Sequence, residues 1–127
     1  MTRGIVLFAH GSRDPLWHRP MQAVAAQILQ TQSGVAVECA YLELSPPDLP
    51  TVCARLVERG IRTITIVPMF LGVGKHARED LPLLVTALRE AHPQIDFELQ
   101  GAVGEDQRLI ALLADIAAER PKRPKRP

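Results

Sequence analysis

Four short apolar runs, each followed by a stretch with helical spacing, divide the chain into repeating β-α units. The runs lie at about residues 4–9, 35–42, 61–68 and 95–100. The first and third are apolar enough to be covered on both faces, as central parallel strands are. Ile61 to Pro68 is rich in β-branched residues and makes the best strand. Met21, Val24, Ala25, Ile28 and Leu29 carry the i, i+3, i+4 spacing of a first helix, with Pro20 in its first turn and residues 14–19 as a short helical lead-in. A second helix follows Asp48 as N-cap, with Pro50 in its first turn and Gly60 just past its end. A third carries Leu81, Leu84, Val85 and Leu88, with Asp80 and Pro82 near its start, and a fourth begins at about Glu105. Such an alternation predicts an α/β fold: a four-stranded parallel sheet, right-handed crossovers and helices on both faces, in three layers. Four strands also leave an apolar sheet face or edge thinly covered, a hint of self-association.

The chain's 127 residues suit one domain, expected over residues 1–120. Residues 121–127 hold four positive charges and no apolar side chain, and read as a disordered basic tail. The rest has 11 basic and 14 acidic residues, a net −3, which excludes the usual basic nucleic-acid surface. No apolar run reaches the ~20 residues of a membrane span, and the start of the chain shows no signal-peptide pattern. Cys39 and Cys53 are too few for a disulfide framework or a zinc site and read as reduced core residues, so a cytoplasmic location is expected.

The chemistry-bearing residues fall just after strands. His10 ends the first, in Ala9-His-Gly-Ser-Arg13; Glu43 follows the second; His76 ends the glycine-containing loop after the third. In an open α/β sheet, ligands bind beyond the carboxyl ends of the strands. Two imidazoles and a carboxylate at one rim suit a borderline divalent ion, and the same groups can accept protons near neutral pH. Each alone reads as an ordinary loop residue; the expectation rests on the three sharing an edge. Arg13, Lys75 and Arg78 beside them would draw an anionic ligand, and Ser12 is grouped with them as substrate-binding. Ser12 is not in a nucleophile elbow, and Gly72-Val-Gly74 lacks the nucleotide-loop patterns, so no nucleotide is expected. His18 and His92 default to surface positions. Trp17 and Met69-Phe-Leu71 could wall a pocket for a flat ligand, though core packing is the commoner role.

His10-Gly-Ser-Arg13, Tyr41-Leu-Glu-Leu-Ser-Pro46 and Val67-Pro-Met-Phe-Leu-Gly-Val-Gly-Lys-His-Ala-Arg-Glu-Asp-Leu-Pro82, in that order, resemble the CbiX/SirB class II chelatases. The resemblance runs to about residue 119. It implies a chelatase-like fold and ATP-independent insertion of Co²⁺ or Fe²⁺ into sirohydrochlorin, toward cobalamin or sirohaem. By the same resemblance, His10 and His76 are the catalytic residues, and they handle the metal together with Glu43. Arg13, Lys75 and Arg78 would meet the carboxylates that ring the macrocycle. The divalent metal is a substrate, and the short single-domain form implies a homodimer. Two other readings share features with this one. A metal- or tetrapyrrole-binding protein without turnover shares every motif. A phosphoryl hydrolase using His10 as nucleophile would need an arginine cluster that the sequence does not supply.

Overall fold

A computed structural model describes residues 3–120; the tail at 121–127 lies outside the described residues. β1 (Arg3–Ala9), β2 (Val35–Tyr41), β3 (Thr63–Pro68) and β4 (Asp96–Leu99) form one sheet in the order β2-β1-β3-β4. Every neighbouring pair is parallel. The helices are α1 (Arg19–Thr31), α2 (Leu49–Glu58), α3 (Lys75–Ala91) and α4 (Gln107–Ala118). The expected α/β architecture is therefore present. The lead-in to α1 is a short 3-10 turn at Pro15–His18.

β1 is central and buried along all but its first residue, because both of its faces meet helices. On one face Val6 and Phe8 pack with Leu49, Val52, Cys53 and Leu56 of α2 and with Leu81, Val85 and Leu88 of α3. On the other, Ile5, Leu7 and Ala9 meet Met21, Ala25 and Ile28 of α1. Gly4 sets the fit of the first face: a Cβ there would stand 3.1 Å from Leu56 Cδ1 and 3.2 Å from Ile61 Cγ2. Complete burial of a leucine such as Leu56 is worth about 2 kcal/mol.

Both cysteines are free, as expected, but only Cys53 is a core residue; Cys39 is half-buried on the edge strand. Burial pushes the Cys53 thiol up to about 12.

Asp48 caps α2, its Oδ1 accepting from Thr51 N–H at 2.9 Å. Thr51, through its side chain first and its backbone N–H second, holds the Asp48 carboxyl below its ordinary value. A lowered folded value means that the unfolded chain takes up the proton more readily, so the cap's contribution is full above the ordinary carboxylate range and fades below it. Asp48→Ala is expected to cost ~1 kcal/mol at neutral pH in urea unfolding. The gap from the parent should narrow as the pH falls below the ordinary carboxylate range and the parent's own carboxyl takes up its proton.

The third helix corrects the reading of its start. It begins at Lys75, not near Asp80, and Pro82 lies inside it. The apolar stripe extends a turn upstream through Ala77, which is buried with Leu81, Val85 and Leu88. Packing of that turn outweighs the proline signal, and Gly74 stands at the N-cap without a side-chain cap. His76, Lys75 and Arg78 consequently sit in the first turn of a helix rather than in a loop.

Candidate active site

All three strands that precede the candidate residues run the same way, so His10, Glu43 and the loop leading to His76 emerge at one edge. The loops after β1 and β2 are bound directly. Leu42 N–H donates to Ala9 O at 2.8 Å, and Glu43 N–H to His10 O at 2.9 Å. The loop after β3 joins them, with Met69 N–H donating to Phe8 O at 2.7 Å. The His10 ring lies against Phe70, centroids 4.4 Å apart, and Phe70 itself is buried edge-on to Phe8 at 6.2 Å. Phe70 thus belongs to the core and forms a floor under His10, while Leu71 next to it is exposed.

Gly11 explains how the first two loops come so close. It has φ +102°, a region that favours glycine, and a Cβ there would fall 1.9 Å from Glu43 O. Leu44 has φ +67°, and Ser45 N–H donates back across it to Glu43 O at 2.8 Å. This is a tight three-residue turn that a leucine adopts only under constraint.

His10, Glu43 and His76 are all exposed. Among the described residues, no three His, Cys, Asp or Glu side chains gather closely enough to hold a metal ion. The three candidates therefore share a rim without closing into a ligand set. Arg13, Lys75 and Arg78 are exposed on the same edge, and Ser12 is half-buried there, its Oγ accepting from Asp14 N–H at 3.1 Å. Among the described residues the ion pairs are Arg59–Glu38 and Arg108–Asp106, and neither involves Arg13, Lys75 or Arg78. Arg108 is committed: its hydrogen bonds to Asp106 hold that carboxyl at about 2. An open, largely apolar cavity of about 430 Å³ lies beside Met69, lined also by Val103, Leu109 and Leu112. Trp17 is partly exposed and stands edge-on to Tyr41.

One residue gains a place that its sequence position did not suggest. His18, expected on the surface, is half-buried; its ring stacks on Tyr41 at 4.5 Å and its Nε2 lies 3.2 Å from Ser45 Oγ. The stacking and the bond to Ser45 bridge long sequence separations, which periodicity does not register.

The CbiX family profile matches residues 4–120. The chain belongs to the CbiX family. Among its relatives is the sirohydrochlorin cobaltochelatase of Sulfolobus acidocaldarius, 27% identical over 114 residues, covering 90% of this chain and 89% of that one. That of Methanocaldococcus jannaschii is 31% identical and covers 69% of this chain and 62% of its own. A solved structure of the CbiX protein from Marinobacter aquaeolei superposes with a TM-score of 0.79 at 30% identity, covering 91% of this chain and 93% of that one. The chelatase SirB from Bacillus subtilis subspecies spizizenii, solved in complex with cobalt, gives 0.75 at 26% identity. This chain is covered to 92% in that match but spans only 52% of SirB, and 62% of the Methanocaldococcus relative. No helix among the described residues is long and apolar enough to cross a membrane.

Proposed function

We propose that this chain is an ATP-independent chelatase, a lyase that inserts Co²⁺ or Fe²⁺ into sirohydrochlorin on the way to cobalamin or sirohaem. The observation that carries the reading is the meeting at one sheet edge of the His10 and Glu43 loops with the helix that opens on His76, in a CbiX chain. His10, Glu43 and His76 present the metal, which is a substrate in transit. An open rim of exposed groups suits an ion that must leave. As the metal enters, the pyrrole N–H protons leave the macrocycle, and imidazole is the side chain suited to take protons near neutral pH. Ser12, Arg13, Lys75 and Arg78 hold the carboxylates that ring the macrocycle. The last two stand in the first turn of α3, which holds no acidic residue and where the helix end adds positive potential. The homodimer belongs to the same proposal. α4 has no buried residue and exposes Ile110, Leu112, Leu113 and Ile116, a surface that a second copy would cover.

Mixing the protein with sirohydrochlorin and Co²⁺, Fe²⁺ or Ni²⁺, and following the macrocycle's absorbance, tests the reading. Many equivalents of metallated product per protein are expected with Co²⁺ or Fe²⁺, faster than without protein. A change that stops at one equivalent would instead indicate a binding protein without turnover.

A further inference from the structure

Resting on that reading, we propose that Ser45 and His18 are positioning residues that fix the separation between His10 and Glu43. A single backbone bond, Glu43 N–H to His10 O, joins the two residues directly. Leu42 N–H to Ala9 O ties the chains one residue nearer the sheet, and neither bond holds the turn beyond Glu43. The Ser45 hydroxyl supplies that further point. Its Oγ accepts from Ser12 N–H at 3.4 Å and lies 3.2 Å from His18 Nε2. A serine hydroxyl has one hydrogen and two lone pairs, so either tautomer of His18 completes the bond. Ser45 thereby ties the loop after β2 both to the loop after β1 and to the residue just ahead of α1.

His18 is itself braced. Its ring stacks on Tyr41, the last residue of β2, with an interplanar angle of 24°, and Tyr41 is buried. Trp17 stands edge-on to both rings, 5.9 Å from His18 and 6.5 Å from Tyr41. The left-handed turn at Leu44 is the other half of the device. It aims Ser45 back over Gly11, whose missing Cβ would lie 3.1 Å from Ser45 Oγ. A leucine held in that conformation, with its side chain half exposed, needs a restraint from its surroundings, and the Ser45 bonds are such a restraint. Neither Ser45 nor His18 carries the metal or the macrocycle; both act through His10 and Glu43.

The test uses Ser45→Ala, Ser45→Thr and His18→Phe in the full chain. Three readouts are compared: the KM for Co²⁺ against kcat in the insertion assay, Co²⁺ affinity without macrocycle, and Tm. Ser45→Ala is expected to raise the Co²⁺ KM and weaken Co²⁺ binding by roughly tenfold, the low end for partners that orient metal-handling groups. Its Tm should stay near the parent's. Threonine keeps the hydroxyl and should restore both values. His18→Phe keeps a ring on Tyr41 but loses the nitrogen; it breaks one of the two Ser45 bonds and should shift both values in the same direction as Ser45→Ala, by less. Combining the two should add little to Ser45→Ala, because that variant already breaks the bond to His18. Parent-like insertion and Co²⁺ affinity in Ser45→Ala, or failure of Ser45→Thr to rescue, would overturn the inference and leave the chelatase reading standing. If the parent binds Co²⁺ but inserts none, that reading falls, while the affinity comparison still decides the role of Ser45.

Discussion

Alanine at His10 is expected to reduce metal insertion by about 10²- to 10⁴-fold, the range lost with a positioned proton-transfer group, with little change in thermal stability. The separation of the two effects follows from which atoms of His10 do what. Its backbone carbonyl holds Glu43 N–H, and alanine keeps that carbonyl. Its side chain is exposed and rests on Phe70, which is itself held in the core against Phe8. Losing the ring therefore removes an imidazole from the rim and little from the core. The fold of the variant can be checked by circular dichroism, and its rate by macrocycle absorbance with Co²⁺. His76→Ala belongs to the same class, since that side chain is exposed in the first turn of α3. A parent-like rate in His10→Ala would remove the ring from the mechanism and return residue 10 to the role of a loop residue.

The sheet was legible because β1 and β3 are buried along most of their length, and apolar runs marked all four strands within one or two residues. Ile61 reads as strand but instead closes α2, its N–H donating to Leu56 O at 3.1 Å. The start of α3 was not legible. Proline usually marks a first turn, and nothing local announces that Ala77 is buried one turn upstream. α4 shows the limit of periodicity from the other side. Its amphipathic pattern gives a helix, yet none of its residues is buried. The pattern specifies a face and says nothing of what covers it. For the site, strand ends placed His10 and Glu43 at one edge. What holds them together lies in contacts across 27 and 33 residues, from Ser45 to His18 and to Ser12. Such contacts depend on how two turns fold back, and no spacing encodes them.

Gly11→Ala is expected to cost stability and insertion together, and a second glycine separates the causes. At residue 11 a Cβ meets two obstacles. The φ of +102° strains any L side chain, and the carbonyl oxygen of Glu43 stands 1.9 Å from the added atom. Backbone cannot yield as a flexible side chain does, so the loops after β1 and β2 must part. Parting them breaks the bond from Glu43 N–H to His10 O, moves two of the three proposed metal-presenting residues, and pulls Ser45 from Ser12. Gly34 has φ +74° and nothing within 4 Å of a built Cβ, and it precedes β2 at the opposite edge of the sheet. Gly34→Ala therefore isolates the conformational cost, about 1–2 kcal/mol, and should leave insertion unchanged. Gly11→Ala should lose more, about 2–4 kcal/mol in urea unfolding, with insertion falling at least tenfold even where the protein remains fully folded. Equal insertion by the two variants under folded conditions would mean that the close approach of the loops serves stability alone, and that the spacing of His10 and Glu43 does not govern the reaction.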